Sequence, residues 1–262
     1  MPFPEVNRVI YRKNPLQLVV CQLRFPPILR VDAEIPAKFQ EKIRGDFPNF
    51  SETTEVVLPV PEGIEAPPEI IRRMTQSSGI KNYTFSSEDG IWKVSLTRTF
   101  LALSTNAYHK WEEFRAKLLD PLRALLDEYS PTYFSRVGLR YVNMIKRSTL
   151  DLKNVDWDNL LKPYVLGVIG SPDVGADVRA FEGRYEIVLE DGKSTVRLVT
   201  KLAPDPSDGE TCFVLDNDFF IVEKTGTDDV MEKLNFLNTR SSRLIQWAIT
   251  PQLHQVMEPE EL

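Results

Sequence analysis

Two arginines stand at the same point of two similar segments, CQLRFPP (residues 21–27) and VGLRYVN (residues 137–143). In each segment the arginine, Arg24 or Arg140, follows a leucine and precedes an aromatic residue. The planar guanidinium group can bind a phosphate, a carboxylate ligand or a partner's acidic side chain through two parallel hydrogen bonds. The repeated pattern therefore predicts either a duplicated binding element or two structural arginines.

The alternation of side chains along a strand decides which residues accompany the two arginines. Apolar side chains occupy one face of both segments, and polar side chains occupy the other. If helices cover the apolar face, the polar side chains lie on the opposite surface of the sheet. The four polar residues that we predict as a ligand or partner site are Gln22, Arg24, Arg136 and Arg140. The alternative is an internal ion pair of these arginines with a strand glutamate such as Glu186 or Glu190.

Two aspartates in the segment TCFVLDND, Asp216 and Asp218, are separated by one residue. On a strand both carboxylates would share one face, and such a pair could bind Mg²⁺, which prefers oxygen ligands. The similar segment TFLALSTN has Ser104 and Asn106 at the corresponding points. Because Ser, Asn and Asp near a strand end also suit turn and capping hydrogen bonds, a structural role is the alternative to the metal site.

Residues suited to covalent or acid–base catalysis are sparse in this chain. His109 stands just before a predicted helix and could act with Asp120 or a distant carboxylate, but no serine or cysteine occupies a recognisable nucleophile elbow. Cys21 and Cys212 lie in apolar runs and are predicted to be buried, reduced thiols. We therefore expect no cofactor and favour a non-enzymatic protein over a metal-dependent or acid–base enzyme.

Composition and charge narrow the class of protein. The 262 residues are 42% hydrophobic and 27% charged, as in ordinary globular proteins, with a formal net charge of −6. Residues 1–131 contain 17 basic and 17 acidic side chains, and residues 132–262 contain 15 and 21. Because nucleic-acid binding depends on a basic surface, this distribution argues against a nucleic-acid partner. The first residues lack the apolar core of a signal peptide, and no run of about 18 apolar residues occurs, so we expect a cytoplasmic protein without a membrane span.

The elements that position these residues follow from the hydrophobic periodicity. The elements predicted for the first half are a strand over residues 16–25, a short helix opened by Pro36, an edge strand over residues 54–60, a hairpin about Asp89-Gly90, a strand over residues 99–106, and a long helix from near Trp111 to Pro131. Pro121 lies inside this helix and is predicted to kink or split it.

The second half repeats the scheme. Its predicted elements are a strand over residues 133–145, a short helix interrupted by Pro163, a hairpin about Asp191-Gly192, a strand over residues 211–218, and a last helix from about Asp228 to Ile249. The apolar face of this last helix comprises Val230, Leu234, Leu237, Ser241, Leu244 and Ala248.

Ordered matches between the halves indicate a tandem duplication. Four matches follow in the same order: residues 23–25 with 139–141, Tyr83 and the turn at Gly90 with Tyr185 and the turn at Gly192, residues 99–106 with 211–218, and Phe114 and Leu118 with Val230 and Leu234. We predict an α+β fold of two β-α-β(3-4)-α units, residues 1–131 and 132–262, with curved antiparallel sheets packed on long helices.

The predicted unit resembles known arrangements at two levels. A duplicated sheet that grips long helices is similar in topology to the TATA-binding-protein-like (helix-grip) arrangement, although this acidic chain offers no basic, intercalating set of residues for DNA. The segments FLALSTNAYHKWEEF (residues 100–114) and GLRYVNMI (residues 138–145) resemble the hallmarks of a sporadically distributed, uncharacterised family of prokaryotic proteins of about this length. That resemblance implies a bacterial or archaeal cytosolic protein, linked to mobile or defence-associated genes, and it implies no catalytic residues.

The resulting functional expectation is a cytosolic binding or interaction protein without enzymatic activity. Its exposed sheet face would engage another macromolecule, which we expect to be a protein. The alternative is a sensor of a small, nucleotide-like molecule bound in the cleft between the two halves.

Overall fold

The computed structural model describes residues 2–55 and 80–261. The strands are β1 (Val9–Tyr11), β2 (Leu16–Arg24), β3 (Asn49–Glu55), β4 (Ile80–Ser86), β5 (Trp92–Leu96), β6 (Phe100–Thr105), β7 (Arg136–Ile145), β8 (Glu182–Val188), β9 (Ser194–Pro204), β10 (Thr211–Ile221) and β11 (Pro259–Glu261). The strand predicted over residues 54–60 overlaps the end of β3, and its residues 56–60 lie outside the described part of the chain.

Two long helices and several short ones complete the described structure. The helices are α1 (Arg30–Ala33), α2 (Ala37–Ile43), α3 (Trp111–Tyr129), α4 (Trp157–Leu160), α5 (Pro163–Leu166), α6 (Val230–Ala248) and α7 (Pro251–Val256). Short 3₁₀ turns cover Ser148–Leu150, Gly167–Gly170 and Gly175–Asp177. Among the described residues, no helix is both long enough and apolar enough to cross a membrane.

Nine of the strands form one antiparallel sheet in the order β3-β4-β5-β6-β2-β7-β10-β9-β8. The helices α3 and α6 pack against one face of this sheet, and the apolar side chains of both halves form one continuous core. The α+β class and the antiparallel sheet packed on long helices are thus confirmed. β1 and β11 form a separate two-stranded pairing that joins residues from near the two ends of the chain.

The periodicity of the two long helices correctly predicts their buried faces. All six residues of the predicted apolar face of α6, from Val230 to Ala248, are buried. In α3 the helix runs without interruption through Pro121, so the predicted split does not occur. Proline removes one helical hydrogen bond, but Pro121 is itself buried beside Leu122, and tertiary packing of an apolar face is the main source of helix stability in proteins.

The centre of the sheet is the antiparallel pairing of β2 with β7. Gln22 lies directly opposite Gly138, Val20 opposite Arg140, and Arg24 opposite Arg136. The outer neighbour of β2 is β6, and the outer neighbour of β7 is β10. The two arginines that the sequence singles out therefore lie on the two central strands, on opposite sides of the Gln22–Gly138 pair.

The register of the sheet agrees with one predicted correspondence between the halves and contradicts another. Tyr83 pairs with Leu96 in the first hairpin as Tyr185 pairs with Leu198 in the second, in agreement with the predicted match of the turns. However, Leu23 pairs with Leu101, and Leu139, the predicted counterpart of Leu23, pairs with Phe219. By its register Leu101 therefore corresponds to Phe219, whereas the predicted match assigned it to Phe213. The predicted match of residues 99–106 with 211–218 is therefore wrong, because β10 continues to Ile221 and is longer than β6.

Candidate binding site on the open face of the sheet

The four predicted site residues lie together on the sheet face opposite to α3 and α6. Alternation along β2 and β7 buries the intervening apolar residues and leaves these polar side chains on the other surface. They line a depression of about 460 Å³ whose walls also include Arg197, Asp218, Phe220 and Val222. The sequence prediction placed these four residues on one face, and the structure brings them within one site.

Arg136 is held firmly in this depression. Its Nη2 donates hydrogen bonds to both carboxylate oxygens of Asp218, at 2.7 and 2.8 Å, and its guanidinium lies 4.9 Å from the centre of the Phe220 ring. The side chains of Arg136 and Asp218 are only 18% and 21% exposed. Gly138 makes this path possible, because a Cβ atom there would lie 2.3 Å from Nη1 of Arg136. The Arg136 side chain therefore passes over Gly138 to reach Asp218, and this contact gives Arg136 a structural role.

Arg140 has a partner of its own on the same neighbouring strand. Its Nε and Nη2 donate to the two carboxylate oxygens of Asp216 at 2.7 and 2.5 Å, in the two-pronged geometry that matches a guanidinium to a carboxylate. This hydrogen bonding raises the pKa of Arg140 above its usual value. The predicted internal ion pair is thus present for Arg140, but the predicted partners are wrong: Glu186 binds Arg197, and Glu190 binds Arg240.

Arg24 differs from both of these arginines. Its Nε donates to Oε1 of Gln22 at 2.8 Å, and the same oxygen accepts a longer bond of 3.4 Å from Nη1 of Arg136. No carboxylate within residues 2–55 and 80–261 forms an ion pair with Arg24, whose side chain is exposed. Arg24 also faces Arg136 directly across the strand pair, and like charges in that position repel each other. A carboxylate from outside these residues would therefore relieve an electrostatic repulsion at this point.

The alternative prediction of a metal site at Asp216 and Asp218 is only partly met. Both carboxylates share the open face of β10, as their spacing predicts, but each is already bound by an arginine. They lie in the middle of the strand rather than at its end, because β10 continues to Ile221. In the described ranges, no group of three or more His, Cys, Asp or Glu side chains is placed to hold a metal ion.

The residues considered for catalysis are dispersed. His109 is exposed in the loop before α3, and Asp120, its suggested partner, lies instead 3.6 Å from Arg123. Burial raises the pKa of the Cys21 thiol far above neutral pH, and it raises that of Cys212 to about 11. Because a thiol must ionise to act as a nucleophile, neither cysteine is activated.

Several members of the site were not anticipated as functional residues from the sequence, and three of them act on Arg136 or on the ring beside it. Phe220 supports Arg136, Arg197 stands 5.5 Å from the same ring, and Gly138 opens the path of the Arg136 side chain. The alternation of side chains along β10 could have revealed Phe220, because Phe220 is two residues beyond Asp218 and therefore lies on the same face. The pairing of β7 with β10, which brings the aspartates to the arginines, has no comparable local signal.

A comparison of the chain with models of protein families and with curated proteins found no match. The resemblance of residues 100–114 and 138–145 to a prokaryotic family therefore stays a prediction.

Proposed function

We propose that the protein is a non-enzymatic binding protein whose open sheet face engages a partner protein. The observation that carries this proposal is the exposed guanidinium of Arg24, which lacks a carboxylate among the described residues although its neighbours Arg136 and Arg140 each have one. The donors of Arg24 that are not directed to Gln22 have no hydrogen-bond partner within residues 2–55 and 80–261, and we propose that they bind the partner.

The chemistry around Arg24 favours a protein surface that inserts an acidic side chain. The depression combines the cation with apolar groups from Val20, Phe220 and Val222, the last of which is 67% exposed. Aromatic and arginine side chains beside apolar area are the composition that dominates protein–protein interfaces. A nucleic acid is a poorer candidate, because three of the four arginines in the depression are already neutralised by carboxylates and the chain carries a net charge of −6.

The arrangement of the two halves supports a duplicated origin for this surface. The central strands β2 and β7 pair about Gln22 and Gly138, and each is followed along the chain by a hairpin and a long helix on the same sheet face. We infer that residues 1–131 and 132–262 are two copies of one β-α-β-α unit that share a sheet. The proposed similarity to the TATA-binding-protein-like (helix-grip) topology depends on this duplication.

The cellular compartment is part of the same proposal. Cys21 and Cys212 are both free and buried in the structure. Free thiols are typical of a reducing environment, so we place the protein and its partner in the cytoplasm.

Photo-crosslinking from the depression tests the proposal directly. We would replace Val222 with a photoreactive amino acid in cells that naturally express the protein, with the same replacement at Ile35 as the control, because both residues are 67% exposed. We expect a protein to be crosslinked from position 222 and not from position 35. A crosslinked nucleic acid, equal crosslinking from both positions or no crosslink from position 222 would contradict the proposal.

The purified partner then allows a quantitative test of Arg24. Arg24→Gln should weaken binding by about tenfold, because it removes the cation but keeps a polar side chain of moderate size. Arg184→Gln is the matched control, since Arg184 is exposed on the distant strand β8 and pairs there with Glu182. Equal affinities of Arg24→Gln and the unmodified protein would show that the partner does not use this guanidinium.

A further inference from the structure

A second concave site lies on the other side of the sheet, where the two halves meet. Its walls come from the segment around β1, the loop that precedes α3, the end of β7 and the second half of α6. The cavity has a volume of about 80 Å³. One ordered water needs about 10–15 Å³ on this scale, so the cavity has room for a small organic molecule rather than a single water.

Aromatic rings form one side of this cavity. The rings of Tyr108 and Tyr141 are 5.8 Å apart and perpendicular to each other, and Tyr11 also lines the cavity. Burial raises the pKa of all three phenols, so they are neutral at physiological pH. Faces and edges of neutral rings are surfaces on which another planar ring can stack.

Amide and hydroxyl groups form a second part of the wall, beside aliphatic side chains such as Leu16 and Ile245. Asn143 is 4% exposed, and its side-chain nitrogen makes only a long bond of 3.5 Å to the carbonyl of Leu215. The side-chain oxygen of Asn143 and the hydroxyl of Ser241, which is 7% exposed, have no hydrogen-bond partner among the described residues. Asn238 accepts a hydrogen bond from Tyr141 at 3.0 Å and keeps its amide donors. The cavity therefore offers both donors and acceptors that the surrounding protein leaves unused.

The charged groups at this cavity are largely neutralised. Arg8 donates two hydrogen bonds to Glu112, at 2.6 and 2.9 Å, and this contact lowers the pKa of Glu112 to about 2. Lys110 lies 3.7 Å from Glu113 at the helix start. Apart from the exposed His109, the remaining wall presents neutral rings, aliphatic side chains, amides and hydroxyls, which do not compensate a ligand with a net charge.

We propose that this cavity binds a small, uncharged, planar heteroaromatic molecule of the nucleobase class. A purine or pyrimidine base has the ring for the tyrosines and the alternating donors and acceptors for Asn143, Asn238 and Ser241. The site is distinct from the arginine depression, because Tyr141 and Arg140 are adjacent residues of β7 and point to opposite faces of the sheet. The ligand would contact both halves of the chain at once.

Calorimetric titration and ligand-observed NMR with adenine, guanine, cytosine, uracil and adenosine, each at up to about 1 mM, test this proposal. We expect saturable binding of at least one base, with adenosine 5′-monophosphate binding no more tightly than adenosine. Ser241→Leu should fill the cavity and raise the dissociation constant by about tenfold or more. Thr239→Leu is the control, because Thr239 is exposed on the same helix and does not line the cavity.

Ser241→Ala is a second test of the site in case the leucine variant does not fold. It removes the hydroxyl of Ser241 but does not fill the cavity. If Ser241→Leu does not fold, a weaker affinity in Ser241→Ala than in Thr239→Leu still supports the site. Absence of binding by every base, equal affinity in all three variants, or binding of the monophosphate alone would overturn the proposal.

Discussion

Each strand of the central pair carries an arginine at the matching point of its segment, Arg24 on β2 and Arg140 on β7, but the surroundings of the two arginines differ. On the β7 side, Arg140 and Arg136 lie beside β10, which presents Asp216 and Asp218 on the same face. On the β2 side, Arg24 lies beside β6, which presents Phe100, Ala102 and Ser104 to the residues of β2. One half therefore neutralises its arginines internally, whereas the other leaves its arginine exposed beside a like charge.

This difference shows that the role of a strand residue depends on the neighbouring strand more than on its own segment. The segments QLRF and GLRY have similar patterns and occupy similar positions. A carboxylate on the adjacent strand, Asp216, binds Arg140 through two hydrogen bonds and so occupies its donors within the protein. Without such a carboxylate among the described residues, the guanidinium of Arg24 bonds only to Gln22.

The strongest test of this comparison is Asp218→Asn. Arg136 would keep its charge in a site where it is 18% exposed but would lose its ionised partner. We expect the free energy of unfolding to fall by about 2 kcal/mol, measured by urea denaturation. Asp120→Asn is the control, because the Asp120–Arg123 pair is exposed and should change stability by less than about 0.5 kcal/mol. A change in Asp218→Asn as small as in the control would show that the β7 side is not held by this contact.

Gly138→Ala should disturb the same contact without removing a charge. The new Cβ atom would occupy the path of Arg136 and force the guanidinium away from Asp218. We expect a loss of about 1 kcal/mol in the free energy of unfolding, by the same measurement. In an Arg136→Met background the substitution should cost almost nothing, because the side chain that it displaces is no longer charged. An equal cost in both backgrounds would mean that Gly138 is needed for another reason.

Asp216→Asn should have a smaller effect than Asp218→Asn. The side chain of Arg140 is 50% exposed, so solvent screens its charge when the partner is lost. We expect a loss of about 0.5 kcal/mol that decreases as the salt concentration rises, measured by denaturation at about 0.1 and 1 M salt. If Asp216→Asn destabilised the protein as much as Asp218→Asn, the distinction between the two arginines of β7 would be wrong.

Arg24→Gln should have the smallest effect on stability. The substitution removes a charge that repels Arg136 and that has no ion pair among the described residues. We expect a change within about 0.5 kcal/mol, with an increase in stability as the favoured direction, by chemical denaturation at low salt. A loss of more than about 1 kcal/mol would show that Arg24 has a structural partner and would remove the main contrast between the two sides.

Most of the fold could be predicted from the sequence because its signals are local. The spacing of apolar residues in α6 predicted each of its six buried positions, and alternation in β2 and β7 predicted which side chains reach the open face. These features depend on neighbours within a few residues along the chain, which is the range over which a sequence pattern specifies structure.

Other features depended on contacts between distant segments. The end of β10 at Ile221 and the choice of Asp216 and Asp218 as partners of the arginines were not predicted, and of the two outcomes predicted at Pro121, the split of α3 does not occur. Each depends on which strand or helix packs alongside, since register and burial are set by tertiary pairing rather than by propensity.

The amino-acid sequence by itself determined that QLRF and GLRY form strands of one α+β protein and that their arginines lie on the polar face of those strands. Only the tertiary structure decided that strands β2 and β7 are central, that Arg140 is paired with Asp216, and that Arg24 has no carboxylate partner among the described residues. The physical reason is that an arginine on a strand surface pairs with a carboxylate on the adjacent strand, and the adjacent strands β6 and β10 come from parts of the chain far from β2 and β7.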